Sequence, residues 1–342
     1  MKSPSIVRPA LGSPSTSLAR VASGSWPLRS SPEGPASSGG WDVRALARSE
    51  RAAGRVRELG AEPVTGDLDD LGSLRTGAEG CEVAFHAAAK VEDWGDPADF
   101  ERLNVRGTAN VIAACRDAGV RRLVHVGTEA ALMAGQPLVG VDEDVPLRPD
   151  SPALYSSSKA KAEQLVRAAN GDGLETVVVR PRFVWGRGDT TLLPALTEMV
   201  RSGRFRWIGG GRHLTATTHV DNTVEGLWLA ATLAPAGGVY FVTDGEPVVF
   251  REFVSRMLAT RGVEVPDKSI PAGVARASAA ASERIWRLLK RPGSPPLTRF
   301  AVWVSSQECT IDISRAEREL GYRPLKSRED GLAELAAPFS PP

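Results

Sequence analysis

Along the chain from residue 41, short apolar runs alternate with segments whose apolar residues recur every three or four positions. The short runs are typical of buried strands, and the longer spacing is typical of helices that bury one face. The predicted strands cover residues 42–47, 63–67, 83–87, 121–128, 176–181 and 238–243. The predicted helices cover residues 49–59, 71–78, 97–118, 160–169, 192–201 and 224–232. This alternation predicts an α/β fold with a doubly wound parallel sheet.

The average composition gives no signal for several classes of function. The 342 residues carry a net charge of +1, so no excess of bases predicts binding to nucleic acid or to a membrane surface. No apolar run approaches the roughly 20 residues of a membrane-spanning helix. Three isolated cysteines are typical of buried thiols in a reducing compartment, which predicts a cytoplasmic protein. The four histidines lack the spacing of metal ligands, and no metal site is predicted.

The chemistry of the chain is indicated most clearly by Tyr155 and Lys159, which lie four residues apart at the start of a predicted helix. Residues four apart share one face of a helix. An ammonium beside a phenol favours the phenolate, so Tyr155 is expected to exchange protons nearer neutral pH than a free phenol does. Chance often produces this spacing, and its weight here comes from a preceding strand that ends in Gly127 and Thr128.

A hydroxyl at a strand end, followed by a tyrosine and a lysine on the next helix, resembles the short-chain dehydrogenases/reductases. The chain is most similar to their extended branch, which includes NAD-dependent epimerases and 3β-hydroxysteroid dehydrogenases. The resemblance covers about residues 41–324. The family's usual strand end is Ser-Ser, and here Gly127-Thr128 keeps one hydroxyl.

The resemblance implies a Rossmann-like dinucleotide-binding domain and a smaller C-terminal cap that binds substrate. The predicted parts are an irregular segment at 1–40, the dinucleotide-binding domain at 41–185 with 215–245 returning to it, the cap at 186–335 and a tail at 336–342.

The resemblance also implies catalytic roles. Thr128 would polarise the substrate carbonyl, Tyr155 would exchange the proton, and Lys159 would tune Tyr155 and hold the nicotinamide ribose. Asn104 is expected to support the catalytic loop through a hydrogen bond. The alternative for Asn104 is an ordinary asparagine on a helix surface.

Cofactor contacts are implied at the ends of several strands. Asp67 and Leu68 would flank the adenine, and Pro181 would lie against the nicotinamide ring. A run of small residues after the strand at 83–87 would let the cofactor pass closely: Ala87, Ala88 and Ala89. The alternatives are a helix-capping aspartate, simple helix–sheet packing and an ordinary strand exit.

The preference between NAD and NADP depends on the end of the 42–47 strand. An acid there would bind the ribose 2′-hydroxyl of NAD, whereas an arginine suits the 2′-phosphate of NADP. Arg48 stands at this place with Arg51 nearby. The sequence therefore predicts NADP or NAD as cofactor, with NADP favoured.

The predicted function is an NAD(P)-dependent oxidoreductase that interconverts a secondary alcohol and a ketone. Phe183, Trp185 and Trp207 are expected to line the pocket, which favours a small apolar substrate such as a sterol-like ketone. Beyond this small molecule, a homodimer is left open as a partner. Two alternatives stay open: a nucleotide-sugar epimerase or dehydratase, and a non-catalytic dinucleotide-binding protein.

The first forty residues break the pattern. A dinucleotide fold opens with a strand and a glycine-rich turn that meets the pyrophosphate. This segment is instead rich in Ser, Pro and Gly, and it shows neither feature. One explanation is a targeting peptide. The favoured explanation is a frame error, because a shifted reading of the codons for residues 14–24 permits Val-x-Val-Thr-Gly-Ala-Ser-Gly-Phe, the expected strand and the first glycines of its turn.

Overall fold

The computed structural model describes residues 19–23 and 42–337, and every structural statement below refers to that part of the chain. The strands are β1 (Ala19–Ser23), β2 (Asp42–Ala47), β3 (Glu62–Thr65), β4 (Val83–His86), β5 (Arg122–Val126), β6 (Leu138–Val141), β7 (Glu175–Pro181), β8 (Val184–Trp185), β9 (Trp207–Ile208), β10 (Leu214–Thr215), β11 (Thr218–His219), β12 (Val239–Val242), β13 (Val248–Val249), β14 (Ser269–Ile270) and β15 (Cys309–Ile311). The α-helices are α1 (Glu50–Glu58), α2 (Leu71–Ala78), α3 (Pro97–Phe100), α4 (Gly107–Asp117), α5 (Leu154–Ala168), α6 (Leu192–Arg201), α7 (Val220–Thr232), α8 (Phe250–Ala259), α9 (Ala272–Leu288), α10 (Arg299–Ser306), α11 (Ser314–Leu320) and α12 (Arg328–Ala336).

A seven-stranded sheet in the order β12-β7-β5-β4-β1-β2-β3 forms the centre of the molecule. Its strands run parallel except at β1. Successive side chains of β5 and β7 enter two different cores: Leu123 and Val178 pack in the core that includes α4 and α5 residues, and Val124 and Val177 pack in the core that includes α7 residues. Strands that are buried on both faces have nearly continuous apolar sequences. The predicted doubly wound, Rossmann-like fold is therefore confirmed.

The structure has a strand, β1, within residues 1–40, where the sequence predicted no strand. It lies between β2 and β4 and runs antiparallel to both, with Ser23 opposite Asp42 and Ala19 opposite His86. The gap between two strands presents two rows of unpaired N–H and C=O groups, which an extended segment can satisfy whatever its side chains. Because β1 is reversed, the chain leaves it at the amino end of β2. The prediction that no glycine turn follows this strand concerns residues 24–41, which lie outside the described residues.

The predicted helices that carry Asn104 and Tyr155 have different limits in the structure. The predicted helix at 97–118 is one helical run that passes through a π-helix, Glu101–Arg106, between α3 and α4. It ends at Gly119, whose φ of 71° lies in the left-handed region. The helix predicted at 160–169 begins earlier, so Tyr155 is the second residue of α5.

The chain beyond β7 builds a smaller layer and also returns to the main sheet. Strand β12 pairs with β7, and α7 packs against β5 and β7. The smaller layer contains a four-stranded sheet in the order β13-β10-β15-β6 and two parallel strand pairs, β8 with β11 and β9 with β14. Among the described helices, none combines the length and the apolar character needed to cross a membrane.

Candidate active site

The end of β5 and the first turn of α5 bring Thr128 and Tyr155 together. Thr128 is buried and caps a short 3₁₀-helix, Glu129–Leu132, where its hydroxyl accepts a hydrogen bond from the Ala130 amide. The Thr128 side chain lies within hydrogen-bonding reach of the Tyr155 phenol. The Tyr155 ring packs edge-on against Phe300 of α10, with 5.4 Å between the ring centroids. Two hydroxyls therefore meet at the carboxyl edge of the sheet, beside an aromatic wall.

Lys159 lies one turn further along α5 and is buried. Its ammonium donates to the Val126 carbonyl at 2.8 Å, and its Nζ lies 3.4 Å from Nε2 of His125. Burial lowers the pKa of Lys159 to about 8, although the Glu163 carboxylate opposes this shift. Burial, with the charge of Lys159, also lowers the pKa of His86 to about 3, so the His86 imidazole is neutral.

The pKa of Tyr155 differs from the expectation that Lys159 would lower it. Burial raises this pKa above the usual range of a phenol, the Glu129 carboxylate raises it further, and the contact with Thr128 opposes both. The physical reason is the position of Lys159, whose ammonium hydrogen-bonds to the backbone of β5. In this structure Tyr155 is a protonated phenol, which suits donation of a proton to a ketone oxygen.

Glu129 and Arg182 form a buried ion pair that the sequence analysis missed. Arg182 Nη1 donates to Glu129 Oε1 at 2.5 Å, and the two side chains are 1% and 6% exposed. Thr128 Oγ1 donates to the other oxygen, Glu129 Oε2, at 2.8 Å. Arg182 also donates to Thr215 Oγ1 at 2.9 Å. The signal in the sequence was an acid directly after Thr128 and a base directly after Pro181, at the ends of strands that turn out to be neighbours.

Asn104 is buried in the π-helix and holds two segments near the site. Its Oδ1 accepts from the Lys90 amide at 2.6 Å, and its Nδ2 donates to the Lys90 carbonyl at 3.0 Å and to Ser158 Oγ at 2.9 Å. Asn104 therefore links α5 to the loop that follows β4. That loop begins with the three predicted small residues Ala87, Ala88 and Ala89.

Gly127, the departure from the family's Ser-Ser, has a steric cause. A Cβ at this position would lie 2.9 Å from Cγ1 of Val178, 3.0 Å from Cγ of Arg180 and 3.2 Å from Oε2 of Glu163. Arg180 and Glu163 form an ion pair that is 0% exposed on both sides. This pair and Val178 fill the space that a side chain on residue 127 would need.

The predicted adenosine contacts lie at the ends of β2 and β3. Arg48 and Asp67 form an ion pair at 3.7 Å, and both side chains are about one-third exposed, at 31% and 38%. Leu68 is only 2% exposed and packs in the main core, so its side chain offers no free surface here. Of the predicted adenine pair, Asp67 alone has an accessible side chain.

The predicted nicotinamide and substrate residues follow β7. Pro181 is the last residue of β7 and is buried. Phe183 is half-buried and has a φ of 45°, which residues other than glycine rarely adopt and which is often found at functional sites. Trp185 and Trp207 are each 1% exposed. The Trp185 indole donates to Asp244 at 2.8 Å. Both indoles are buried in the core, so of the three predicted pocket residues only Phe183 has a partly exposed side chain.

One cluster outside this site has the composition of a metal centre. His219, Asp221 and Glu334 bring potential ligand atoms within 4.8 Å of one another. The Lys326 ammonium already lies among them, 2.5 Å from Glu334 and 3.8 Å from Asp221. We interpret the cluster as an ion-pair network.

The described residues fit the two ends of a dinucleotide better than its middle. Arg48 and Asp67 stand at one end, and Thr128, Tyr155 and Lys159 at the other, all at the carboxyl edge of the sheet. A pyrophosphate is usually held by backbone amides at a helix N-terminus that follows the first strand. Here β1 is reversed and leads to the opposite edge, so the described residues supply no such turn.

Comparison with known proteins agrees with this fold. Residues 39–272 match the model of the 3-beta hydroxysteroid dehydrogenase/isomerase family. The chain is 48% identical over 296 residues to a 4-hydroxy-2-methyl-3-oxo-4-farnesyl-3,4-dihydroquinoline-1-oxide ketoreductase from Stigmatella aurantiaca, covering 86% of this chain and 89% of the relative. It is 41% identical over 292 residues to a 2-alkyl-3-oxoalkanoate reductase from Stenotrophomonas maltophilia (strain K279a), covering 82% and 88%.

Solved structures show the same fold. A dTDP-glucose 4,6-dehydratase double mutant from Streptomyces venezuelae, determined with NAD and DAU bound, superposes with a TM-score of 0.65. It is 24% identical, and the match covers 86% of each chain.

Proposed function

The chain belongs to the 3-beta hydroxysteroid dehydrogenase/isomerase family, and from this premise we propose that it is an NAD(P)-dependent oxidoreductase that interconverts a ketone and a secondary alcohol. The observation that carries the proposal is the meeting of Thr128 and Tyr155 at the carboxyl edge of the sheet, with Lys159 one turn away. The ketoreductase and 3-oxoalkanoate reductase names of its relatives support reduction as the direction.

The residues of the chain have separate tasks in this reaction. A nicotinamide cofactor, when bound, supplies or accepts the hydride. Tyr155, protonated at neutral pH, donates its phenolic proton to the ketone oxygen as the carbonyl is reduced. Lys159 is placed to hold the nicotinamide ribose. Thr128 can stabilise the developing alkoxide only when its hydroxyl turns from Glu129 toward the substrate oxygen, because a hydroxyl has one proton to donate.

An apolar substrate is supported by the surroundings of Tyr155. Its ring packs with Phe300 and belongs to the same apolar cluster as Leu132, Met133 and Trp303. Two relatives also carry names of ketones with long hydrocarbon parts, a farnesylated quinoline and a 2-alkyl-3-oxoalkanoate. We propose a small ketone with an alkyl or polycyclic part. The three buried, unpaired cysteines support a cytoplasmic location, and a homodimer stays a prediction.

The assignment of Tyr155 is tested by Tyr155→Phe. We expect ketone reduction to fall by about 10²–10⁴-fold, because the variant removes the positioned proton donor. The assay is turnover of a panel of alkyl and polycyclic ketones, and circular dichroism checks the fold. Tyr240→Phe is the matched control, since it removes a phenol that contacts Glu319 instead. Near wild-type turnover by Tyr155→Phe would overturn the proposed mechanism.

We propose NADP(H) as the preferred cofactor, because Arg48 is accessible at the end of β2. Arg48→Asp should weaken NADPH binding by about 10–100-fold, which corresponds to the loss of about 1.4–2.8 kcal/mol of charge-assisted hydrogen bonding, and should affect NADH much less. Nicotinamide fluorescence titration measures both affinities. Arg55→Asp makes the same charge change on the exposed face of α1 and should leave the preference unchanged. Equal affinities of the wild type for the two cofactors would refute the preference.

A further inference from the structure

The outer face of α9 is apolar although it faces away from the core. Its inner face buries Ala275, Ala279 and Glu283. The exposed residues recur at helical spacing on the other side: Val274, Ala277, Ala281, Ile285 and Leu288, followed by Leu289. Leu288 is 72% exposed and Leu289 is 61% exposed. A helix with a second apolar face leaves that face exposed to solvent, and such an exposed apolar patch indicates an interaction surface.

The same segment is strongly basic. Residues 272–299 hold six bases and one acid, whereas the whole chain is nearly neutral. Five of these bases are exposed and have no carboxylate partner among the described residues: Arg276, Arg284, Arg287, Lys290 and Arg291. Arg287 instead lies over the Trp94 ring, with its Cζ 5.2 Å from the ring centroid. The described arginines elsewhere on the surface are more often paired with acids. Unpaired bases beside exposed leucines are typical of helices that lie on anionic lipid.

The segment also packs against the helix that borders the candidate active site. Helix α9 packs on α10, and Phe300 of α10 contacts the Tyr155 ring. Thr298, which caps α10, donates to Asp93 in the loop after β4 at 2.5 Å. The apolar outer face therefore lies on the part of the molecule that encloses Tyr155.

We propose that the α9 face, defined as the exposed residues of 274–291, docks on an anionic lipid surface. The 17 residues of α9 include charged side chains and are too few to cross a bilayer, so the helix would lie in the interface. The apolar stripe would enter the acyl boundary, and the long basic side chains would reach the headgroups.

Charge favours lipid over a second copy of the chain. A twofold interface through this face would bring the unpaired bases of one copy close to those of the other. Anionic headgroups would neutralise them instead. Docking itself does not depend on the proposed function. Only one consequence rests on that function: an apolar ketone dissolved in the bilayer would be held on the side of the molecule formed by α9 and α10.

The test is co-sedimentation of the full chain with phosphatidylcholine vesicles, with and without phosphatidylglycerol. We expect binding that requires phosphatidylglycerol and weakens as salt is added. The variant Ile285→Ser/Leu288→Ser/Leu289→Ser and the variant Arg284→Glu/Lys290→Glu should each weaken binding by about tenfold or more. The control Val139→Ser/Leu233→Ser/Leu325→Ser removes apolar side chains that are 59–63% exposed elsewhere, and it should bind as the wild type does.

Three results would overturn the proposal. The first is no binding to anionic vesicles, and the second is equal loss of binding in the control. The third is self-association without lipid, seen by light scattering and abolished by the α9 variants, which would assign the face to a second copy. Activity on a water-soluble ketone is measured in parallel and should be unchanged in the α9 variants. Vesicle binding by an inactive chain would separate the failure of the proposed function from the failure of this inference.

Discussion

Glu129 accepts the Thr128 hydroxyl proton, and Arg182 holds Glu129 from the other side. Thr128 has one proton to donate, and in this structure that proton goes to Glu129 and not to the Tyr155 phenol. The hydroxyl, the carboxylate and the guanidinium thus form one directional chain. Burial raises the pKa of Tyr155 most, and the negative charge of Glu129 raises it further by disfavouring the phenolate.

We predict that Glu129→Gln lowers the pKa of Tyr155, because it removes a negative charge that opposes ionisation. Ketone reduction needs the protonated phenol, so its alkaline decline should move to lower pH. Alcohol oxidation needs the phenolate, so its rise should also move to lower pH. Rate profiles against pH in both directions measure the two limbs. Identical profiles for the variant and the wild type would contradict this role.

The single variant also leaves Arg182 buried without a counter-charge, which can cost about 3–5 kcal/mol of stability. The double variant Glu129→Gln/Arg182→Met removes both charges and should recover much of that loss while keeping the shifted profile. Glu129→Asp keeps the charge and should keep the wild-type profile. A shift that disappears in the double variant would show that strain, and not charge, moved the single variant.

Single residues were predictable from the sequence where a local spacing carries the information. Tyr155 and Lys159 are four apart on one helix, and Thr128 ends the preceding strand, so the sequence brought them together correctly. The sequence could not show that Lys159 hydrogen-bonds to Val126 rather than approaching the phenol, because that depends on side-chain direction. Trp185 and Trp207 looked like pocket residues, yet long-range packing buries both.

At the scale of elements, β5, β7 and α5 approach so closely at Gly127 that a side chain has no room there. A Cβ at residue 127 would first meet Val178, and then the buried Arg180–Glu163 pair that joins β7 to α5 at this point. The Lys159 ammonium donates a hydrogen bond to the Val126 carbonyl at the same strand end. The positions of Thr128 and Lys159 therefore depend on residue 127 having no side chain.

We predict that Gly127→Ser destabilises the protein by about 1–3 kcal/mol, the usual cost of overpacking a filled core. The serine would restore the family's usual residue, so a gain in activity is the naive expectation and a loss is ours. Chemical denaturation measures the stability, and ketone turnover measures the site. Gly54→Ser is the control, because a Cβ there meets nothing within 4 Å. A variant as stable as the wild type would show that Val178 can move aside.

Element types were predictable because apolar periodicity reports burial directly, and Asp42–Ala47, Leu71–Ala78 and Leu192–Arg201 have the predicted limits. Helix starts were less predictable when a cap determines them. Helix α7 begins at Val220, four residues before the prediction, because His219 caps it by accepting from the Asp221 amide. The π-helix around Asn104 was not predictable, because its six residues are too few to establish a period of their own.

At the scale of the whole molecule, the direction of β1 decides where the chain can bind the centre of a dinucleotide. The other strands of the main sheet deliver their carboxyl ends to the edge that holds Thr128 and Arg48. The reversed β1 pairs as well as a parallel strand would, yet its carboxyl end lies beside Asp42 at the opposite edge. Among the described residues, β1 completes the hydrogen bonding of the sheet but brings no glycine turn to the edge where a pyrophosphate would bind.

We predict that a chain carrying Val-x-Val-Thr-Gly-Ala-Ser-Gly-Phe in place of residues 14–24 binds NADPH more tightly than the present chain. A parallel first strand would place a glycine turn and a helix N-terminus at the site edge, where backbone amides meet the pyrophosphate charge. One or two such charge-assisted hydrogen bonds, at about 1.5–3 kcal/mol each, correspond to an affinity gain of at least about tenfold. Side-by-side fluorescence titration measures the gain, and Arg48→Asp in both chains checks that the same site is occupied. Equal affinity of the two chains would show that residues 1–40 already supply the pyrophosphate contacts, and the frame-error hypothesis would then be wrong.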